Sequence, residues 1–461
     1  MIKMAKTILF SLFLFFCSIL YSQNYSIIIS IENFDKNEIY LAEIYLDKTN
    51  IVDTAKRKDN NKFIFSLDKT NHKGKYTILI DKNVFSDVIF NYENVELSTI
   101  YQFPMDSLEV IHSEENKIFY EYLRLEHQTN RKLELLAPLV FYYPKSEKFY
   151  EATCSEFDNA QKALSKFVEK TAEKNSYTFA YLLISNFQKP YINPELSFEK
   201  SQEYLKSHFL DKLCFTDTFL IYSDLYANKI LEYLSLYGNN KLSQEQLENE
   251  FIKAVDEILF RADQNEKIYK TLVSFLVNGF QKYGFERVLL HIADNYLNNK
   301  SCEDEERKSE LQKRLDSFRK MAIGEIAPPL EIYDINNNFV KLSEIPEKFK
   351  VIIFWASWCP HCNELLPELH KLYKNPTVPK FEVLSISIDT DKNDWISALN
   401  KHNYEWFNCS ELKGWDSKSA NDYHIYATPT LFLIDENRTI LDKPLSVNQL
   451  ERKLKQLSMK L

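Results

Sequence analysis

Cys359 and Cys362 are separated by Pro360 and His361. On a helix this spacing sets two thiols one turn apart, so the pair can pass between dithiol and disulfide with little backbone movement. The attacking species in such chemistry is the thiolate, and a helix N-terminus stabilises it through free N–H groups and partial positive charge. Cys359 is therefore the expected nucleophile, as the exposed thiol at the helix start. Cys362, lying deeper, is expected to resolve the mixed disulfide. Pro360 suits the first helical turn, where its missing N–H costs nothing. Two readings stand for His361: an imidazolium beside the thiolate that makes the pair more oxidising, or a side chain that points to solvent and shifts little.

The flanking text supplies the elements that would hold this pair. Val351 to Trp355 is an unbroken apolar run, which reads as a buried strand. After the cysteines, Leu365, Leu366, Leu369, Leu372 and Tyr373 recur at helical spacing. Around them the sequence predicts a hairpin of Leu330–Tyr333 with Phe339–Leu342 and a second central strand over 381–388. A helix is predicted over 393–402, a second hairpin of 431–434 with 439–441, and a closing helix over 447–457. Strands alternating with helices give a central sheet covered on both faces.

Trp358-Cys359-Pro360-His361-Cys362 after a buried strand resembles the thioredoxin family. Gly324-Glu325-Ile326-Ala327-Pro328, Phe354 to Cys362, and Ala427-Thr428-Pro429-Thr430 together resemble its extracytoplasmic TlpA/ResA-type branch. The resemblance covers residues 322–461 and implies a C-terminal α/β thioredoxin-like domain. It further implies a cis-proline at Pro429 packed against the cysteines, the Thr428 backbone aimed at an extended client, and Trp358 beside the client. Two departures stand out. Thioredoxin has a buried carboxylate where this chain has Ile353. ResA-like proteins have a glutamate where this chain has Leu365, while Glu364 lies one position earlier. His361, Glu364 and water are all open as the acceptor of the Cys362 proton. A proline-histidine dipeptide between the cysteines also occurs in the strongly oxidising DsbA-type enzymes, whereas the remainder of the domain resembles the reducing branch.

The rest of the chain sets the context. With 461 residues and 45% hydrophobic composition, two or three domains with real cores are expected. A net charge of −9 gives no pointer to nucleic acid or to an anionic membrane surface. Lys3 and Lys6 precede the apolar stretch Ile8–Leu20, which reads as a signal peptide over residues 1–22 with cleavage after Ser22. An uncleaved anchor and a lipoprotein at Cys17 are the alternatives. Residues 23–113 read as an all-β domain, a small sandwich or barrel serving as spacer or docking module. Residues 114–321 read as an α-helical domain. There the series Phe219, Tyr222, Leu225, Tyr226, Ile230 and Leu234 is read as a helical stripe, and Cys302–Lys320 as a solvated helix. Cys154 and Cys214 are read as buried free thiols, with a bond between them as the alternative; Cys409 is placed near the end of a short element.

The reading is an exported thiol-disulfide oxidoreductase that exchanges or reduces disulfides in envelope proteins. It needs no cofactor and no metal, and a membrane thiol-disulfide partner regenerates it in the periplasm. The rival class is a non-catalytic client-binding scaffold. A thiol peroxidase and a zinc half-site stand further back, the latter because no second C-x-x-C or H-x3-H is present.

Overall fold

The computed structural model describes residues 24–58, 61–239, 241–296 and 319–459. The signal-peptide segment and most of the Cys302–Lys320 run lie outside the described residues. Contacts divide the chain into two compact units, Met1–Phe275 and Leu276–Leu461.

The first unit opens with eight strands: β1 (Tyr25–Glu32), β2 (Glu38–Tyr45), β3 (Lys48–Lys56), β4 (Lys62–Leu67), β5 (Gly74–Ile80), β6 (Asn83–Phe90), β7 (Val95–Ile100) and β8 (Glu109–His112). They form two four-stranded sheets, ordered β4-β1-β7-β8 and β3-β2-β5-β6. Alternation in β1 buries Ile27, Ile29 and Ile31 completely, as a strand with one covered face requires. Helices follow: α1 (Glu114–Tyr142), α2 (Lys148–Asn175), α3 (Phe179–Phe187), α4 (Phe198–His208), α5 (Leu225–Ser235), α6 (Gln244–Ala262) and α7 (Glu266–Lys282), within which the division between units falls.

The expected stripe from Phe219 to Leu234 is corrected. A 3-10 turn covers Thr218–Ile221, and α5 begins only at Leu225. Between them the chain crosses to the sheets. Tyr222 accepts the Lys75 N–H at 2.8 Å, and Ile221 accepts the Leu46 N–H at 2.9 Å. Lys75, 7% exposed, pairs with Asp87 at 2.8 Å and Asp224 at 3.0 Å. These bonds join the β and helical regions into one unit; β5 lies between β2 and β6, and every one of its residues is buried.

In the second unit, α8 (Glu286–Tyr296) precedes the hairpin of β9 (Glu331–Tyr333) and β10 (Phe339–Lys341). Then come β11 (Phe349–Trp355), α9 (Pro360–Tyr373), β12 (Phe381–Ser387), α10 (Lys392–Asn400), β13 (Phe407–Ser410), α11 (Lys418–Asp422), β14 (Thr430–Ile434), β15 (Ile440–Asp442) and α12 (Val447–Ser458). The sheet runs β13-β12-β11-β14-β15. The β11–β12 and β12–β13 pairs are parallel; β11–β14 and β14–β15 are antiparallel. Both faces of β11 are covered, so all its residues are buried, which accounts for its unbroken apolar text. The Gly324–Pro328 segment clips onto the last hairpin: Gly324 N–H reaches Ile440 O, and Ala327 N–H reaches Arg438 O, each at 2.8 Å. Tyr423 Oη adds a bond of 2.7 Å to Pro328 O.

Candidate active site

β11 ends at Trp355, and the chain turns through Ala356-Ser357-Trp358 into α9. Cys359 is the N-cap of that helix, with φ −86° and ψ 113°, and Pro360 takes the first helical turn. The Cys362 N–H donates to Cys359 Sγ at 3.2 Å, so the sulfur fills the role that a capping oxygen usually plays. The two cysteines form a disulfide with Cα atoms 5.3 Å apart. Once reduced, Cys359 would keep this N–H and the positive end of the helix beside its charge, both of which favour the thiolate.

Cys359 is not the open thiol that its position suggests. It is 4% exposed and Cys362 is fully buried. The cover comes from the Ala427–Thr430 loop: Cys359 Sγ lies 3.4 Å from Thr428 O. The Thr428–Pro429 bond is cis, and both residues are half-buried. Of the two, Cys359 is the less buried. Trp358 is 58% exposed and faces Trp415, also exposed, with ring centroids 6.4 Å apart. A cleft of about 510 Å³ opens beside Ser357, Trp358 and Asn363, with Asp394, Lys401 and His402 on its other side.

The His361 side chain is 85% exposed, and its Nδ1 lies 4.0 Å from Glu364 Oε2, itself 83% exposed. The solvent-pointing reading of His361 is the one that the structure shows. Neither group is buried with Cys362, so neither stands out as its proton acceptor. Ile353 is fully buried in β11, and Leu365 packs half-buried against the core.

One carboxylate escaped the sequence reading. Asp389, just past β12, is 1% exposed. It accepts the Ser357 N–H at 3.0 and 3.2 Å, the Ser357 hydroxyl at 2.6 Å and the Ser387 hydroxyl at 2.6 Å. The signal available was Ser385, Ser387 and Asp389 at the end of a strand that is apolar from Val383 to Leu384 and at Ile386 and Ile388. Trp415 was missed too; it sits in a short turn and carries no periodic pattern.

Cys154 and Cys214 are both free, so the bond between them is not formed, but they are half-buried and not buried as expected. Cys409 is free and buried in β13.

A five-stranded sheet with a helix-capping cysteine pair at the end of its central strand gives the C-terminal domain a thioredoxin-like fold. Residues 347–440 match the family model described as Thioredoxin-like. The chain is 28% identical over 142 residues to the thiol-disulfide oxidoreductase ResA of Bacillus thuringiensis, covering 30% of this chain and 80% of that one. It is 25% identical over 129 residues to a thioredoxin-like protein of Haemophilus influenzae, covering 27% and 71%. Among solved structures, a thiol-disulfide oxidoreductase from Bacteroides fragilis is 29% identical, with 29% of this chain and 99% of that one covered and a TM-score of 0.26. A thioredoxin-like protein from Bacteroides caccae is 21% identical, covering 58% and 97%, with a TM-score of 0.44.

Proposed function

We propose that this protein is an exported enzyme that reduces or exchanges disulfides in other envelope proteins. The observation that carries the reading is Cys359 capping α9 through the Cys362 N–H while joined to Cys362. In the reducing direction the Cys359 thiolate attacks one sulfur of a client disulfide, and the client's other sulfur leaves as thiolate and takes a proton. Cys362, one turn away at high effective concentration, then attacks Cys359 Sγ. The client departs as a dithiol, and the enzyme is left as the Cys359–Cys362 disulfide. A membrane dithiol partner returns two electrons and two protons.

The Thr428 carbonyl beside Cys359 is a backbone group to which an extended client can pair, with Trp358 and Pro429 next to these two residues in the chain. Export follows from the Lys3–Ser22 pattern. Among the described residues, no helix is long and apolar enough to cross a membrane.

Purified protein should reduce insulin disulfides with dithiothreitol as reductant, and Cys359→Ser should not. In cells, Cys362→Ala should accumulate higher-mass adducts that reductant removes, because the release step is lost, while Cys359→Ala should form none. No insulin reduction and no adducts would leave the scaffold reading in its place. N-terminal sequencing of the envelope form should begin at Gln23; a start at Met1 would refute the cleaved leader.

A further inference from the structure

The loop that carries Cys359 is held at both ends of one residue. The Ser357 N–H and hydroxyl both end on Asp389, and the Ser357 carbonyl accepts the Asn363 side-chain amide at 3.1 Å. Asn363 lies in the first turn of α9, next to Cys362. Asp389 thus ties the end of β12 to the helix whose cap is the reacting sulfur. Its own place is fixed by Ser387 and by the adjoining backbone. Ser387 donates its hydroxyl, the Asp389 N–H returns a bond of 2.9 Å to Ser387 Oγ, and Ile388 N–H reaches Trp355 O at 2.8 Å. Beyond it, Gly414 turns with φ +60° close against Thr390, so the turn bearing Trp415 rests on the same loop.

All the donors on Asp389 suit a carboxylate, an acceptor-only group. Asp389 and Cys359 are both almost fully buried and are linked through two residues of loop. In such surroundings a fixed negative charge acts on a developing thiolate more strongly than it would across water. Other titratable groups on the same side of the domain include His361 and Glu364 on α9, both in solvent, and Asp394, Lys401 and His402, which line the cleft beside Ser357.

We propose that Asp389 is a positioning residue of the redox pair: through Ser357 it fixes the loop that presents Cys359, and its buried charge holds the pair toward the reducing end. The inference rests on the oxidoreductase reading and adds a direction to it. The helix end and the capping N–H stabilise the Cys359 thiolate, hence the dithiol, which by itself makes a pair oxidising. Asp389 opposes that stabilisation. The Ser357 hydroxyl partly neutralises Asp389 and sets how much of its charge the thiolate feels.

The test is the equilibrium of the full mature protein with glutathione: enzyme disulfide plus two reduced glutathiones gives enzyme dithiol plus one glutathione disulfide. The readout needs no client, so it stands even if insulin is not reduced. Asp389→Asn removes the charge and keeps an acceptor for the Ser357 N–H. It should shift the constant toward dithiol by about tenfold, or about 30 mV. Ser357→Ala removes one neutralising donor and should shift it the opposite way. Thiolate absorbance in Cys362→Ser should follow, with Cys359 ionising at lower pH when Asp389→Asn is added and at higher pH with Ser357→Ala. A purely structural role would lower the melting temperature and leave both readouts in place. Constants that are unchanged, or that move in the same direction in both variants, overturn the proposal. If Asp389→Asn does not fold, an unchanged constant in Ser357→Ala is enough to overturn it.

Discussion

Cys359 and Cys409 carry the same thiol in opposite settings. Cys359 receives a backbone N–H at a helix start. Cys409 is fully buried in β13, where burial, with Asp334 adding to it, pushes its thiol up to about 12. At working pH it stays protonated, and reagents have no route to it. Iodoacetamide at about pH 8 should therefore leave Cys409 unmodified in the folded, oxidised protein and label it after denaturation, as read by peptide mass spectrometry. Labelling in the native state at the rate of a free thiol would contradict this burial. His361 makes the complementary point. A residue between two redox cysteines invites a catalytic role, yet α9 turns its side chain outward, and the charge that approaches the loop from within belongs to Asp389.

At the scale of elements, close approach decides what a turn residue must be. Gly74 opens β5 where the Tyr222 segment crosses it. A Cβ there would lie 2.5 Å from the Tyr222 carbonyl oxygen and 2.8 Å from its Cβ. The neighbouring Lys75 N–H to Tyr222 bond prevents the two chains from moving apart without loss. Gly74→Ala should destabilise the first unit by about 1–3 kcal/mol, the usual range for overpacking a close contact. Urea unfolding followed by tyrosine fluorescence would measure it. A variant as stable as the wild type would mean that the contact yields easily. The capping of α9 is the corresponding feature of the second unit, where one cysteine sulfur both ends a loop and starts a helix.

For the molecule as a whole, stability against pH carries a buried cation. Lys229 in α5 is 3% exposed, and burial lowers its pKa to about 8 from 10.5. Its ammonium donates to Gln188 O at 2.9 Å and stands 4.8 Å from the Phe209 ring centroid. Between about pH 8 and 10.5 the unfolded chain holds a proton that the folded chain has released. Stability of the first unit therefore rises with pH across that window. Below it, both states are charged and the full burial cost is present. Relative to Lys229→Met, the wild type should gain on the order of 2–3 kcal/mol across this window. Parallel denaturation series at several pH values would show the convergence, and curves offset by a constant would refute it.

Much of the second unit was legible because its signals are local. The apolar run of β11, the helical spacing after Cys362 and the Asp435–Thr439 turn each depend on neighbours a few residues away, and each element falls within a residue or two of its expected place. The cysteine pair was legible for the same reason, since one helical turn fixes its chemistry. The all-β reading of residues 23–113 did not single out β3, β6, β7 and β8, because polar or mixed text becomes strand only when a partner edge supplies the ladder. The break at Tyr222 was invisible because the apolar period runs on through it, and a carbonyl called upon by Lys75, far away in sequence, ends the helix there. Asp389 belongs with these. Nothing in its own segment says that it binds Ser357; only the parallel pairing of β11 with β12 brings the two strand ends together and sets a buried carboxylate beside the redox loop.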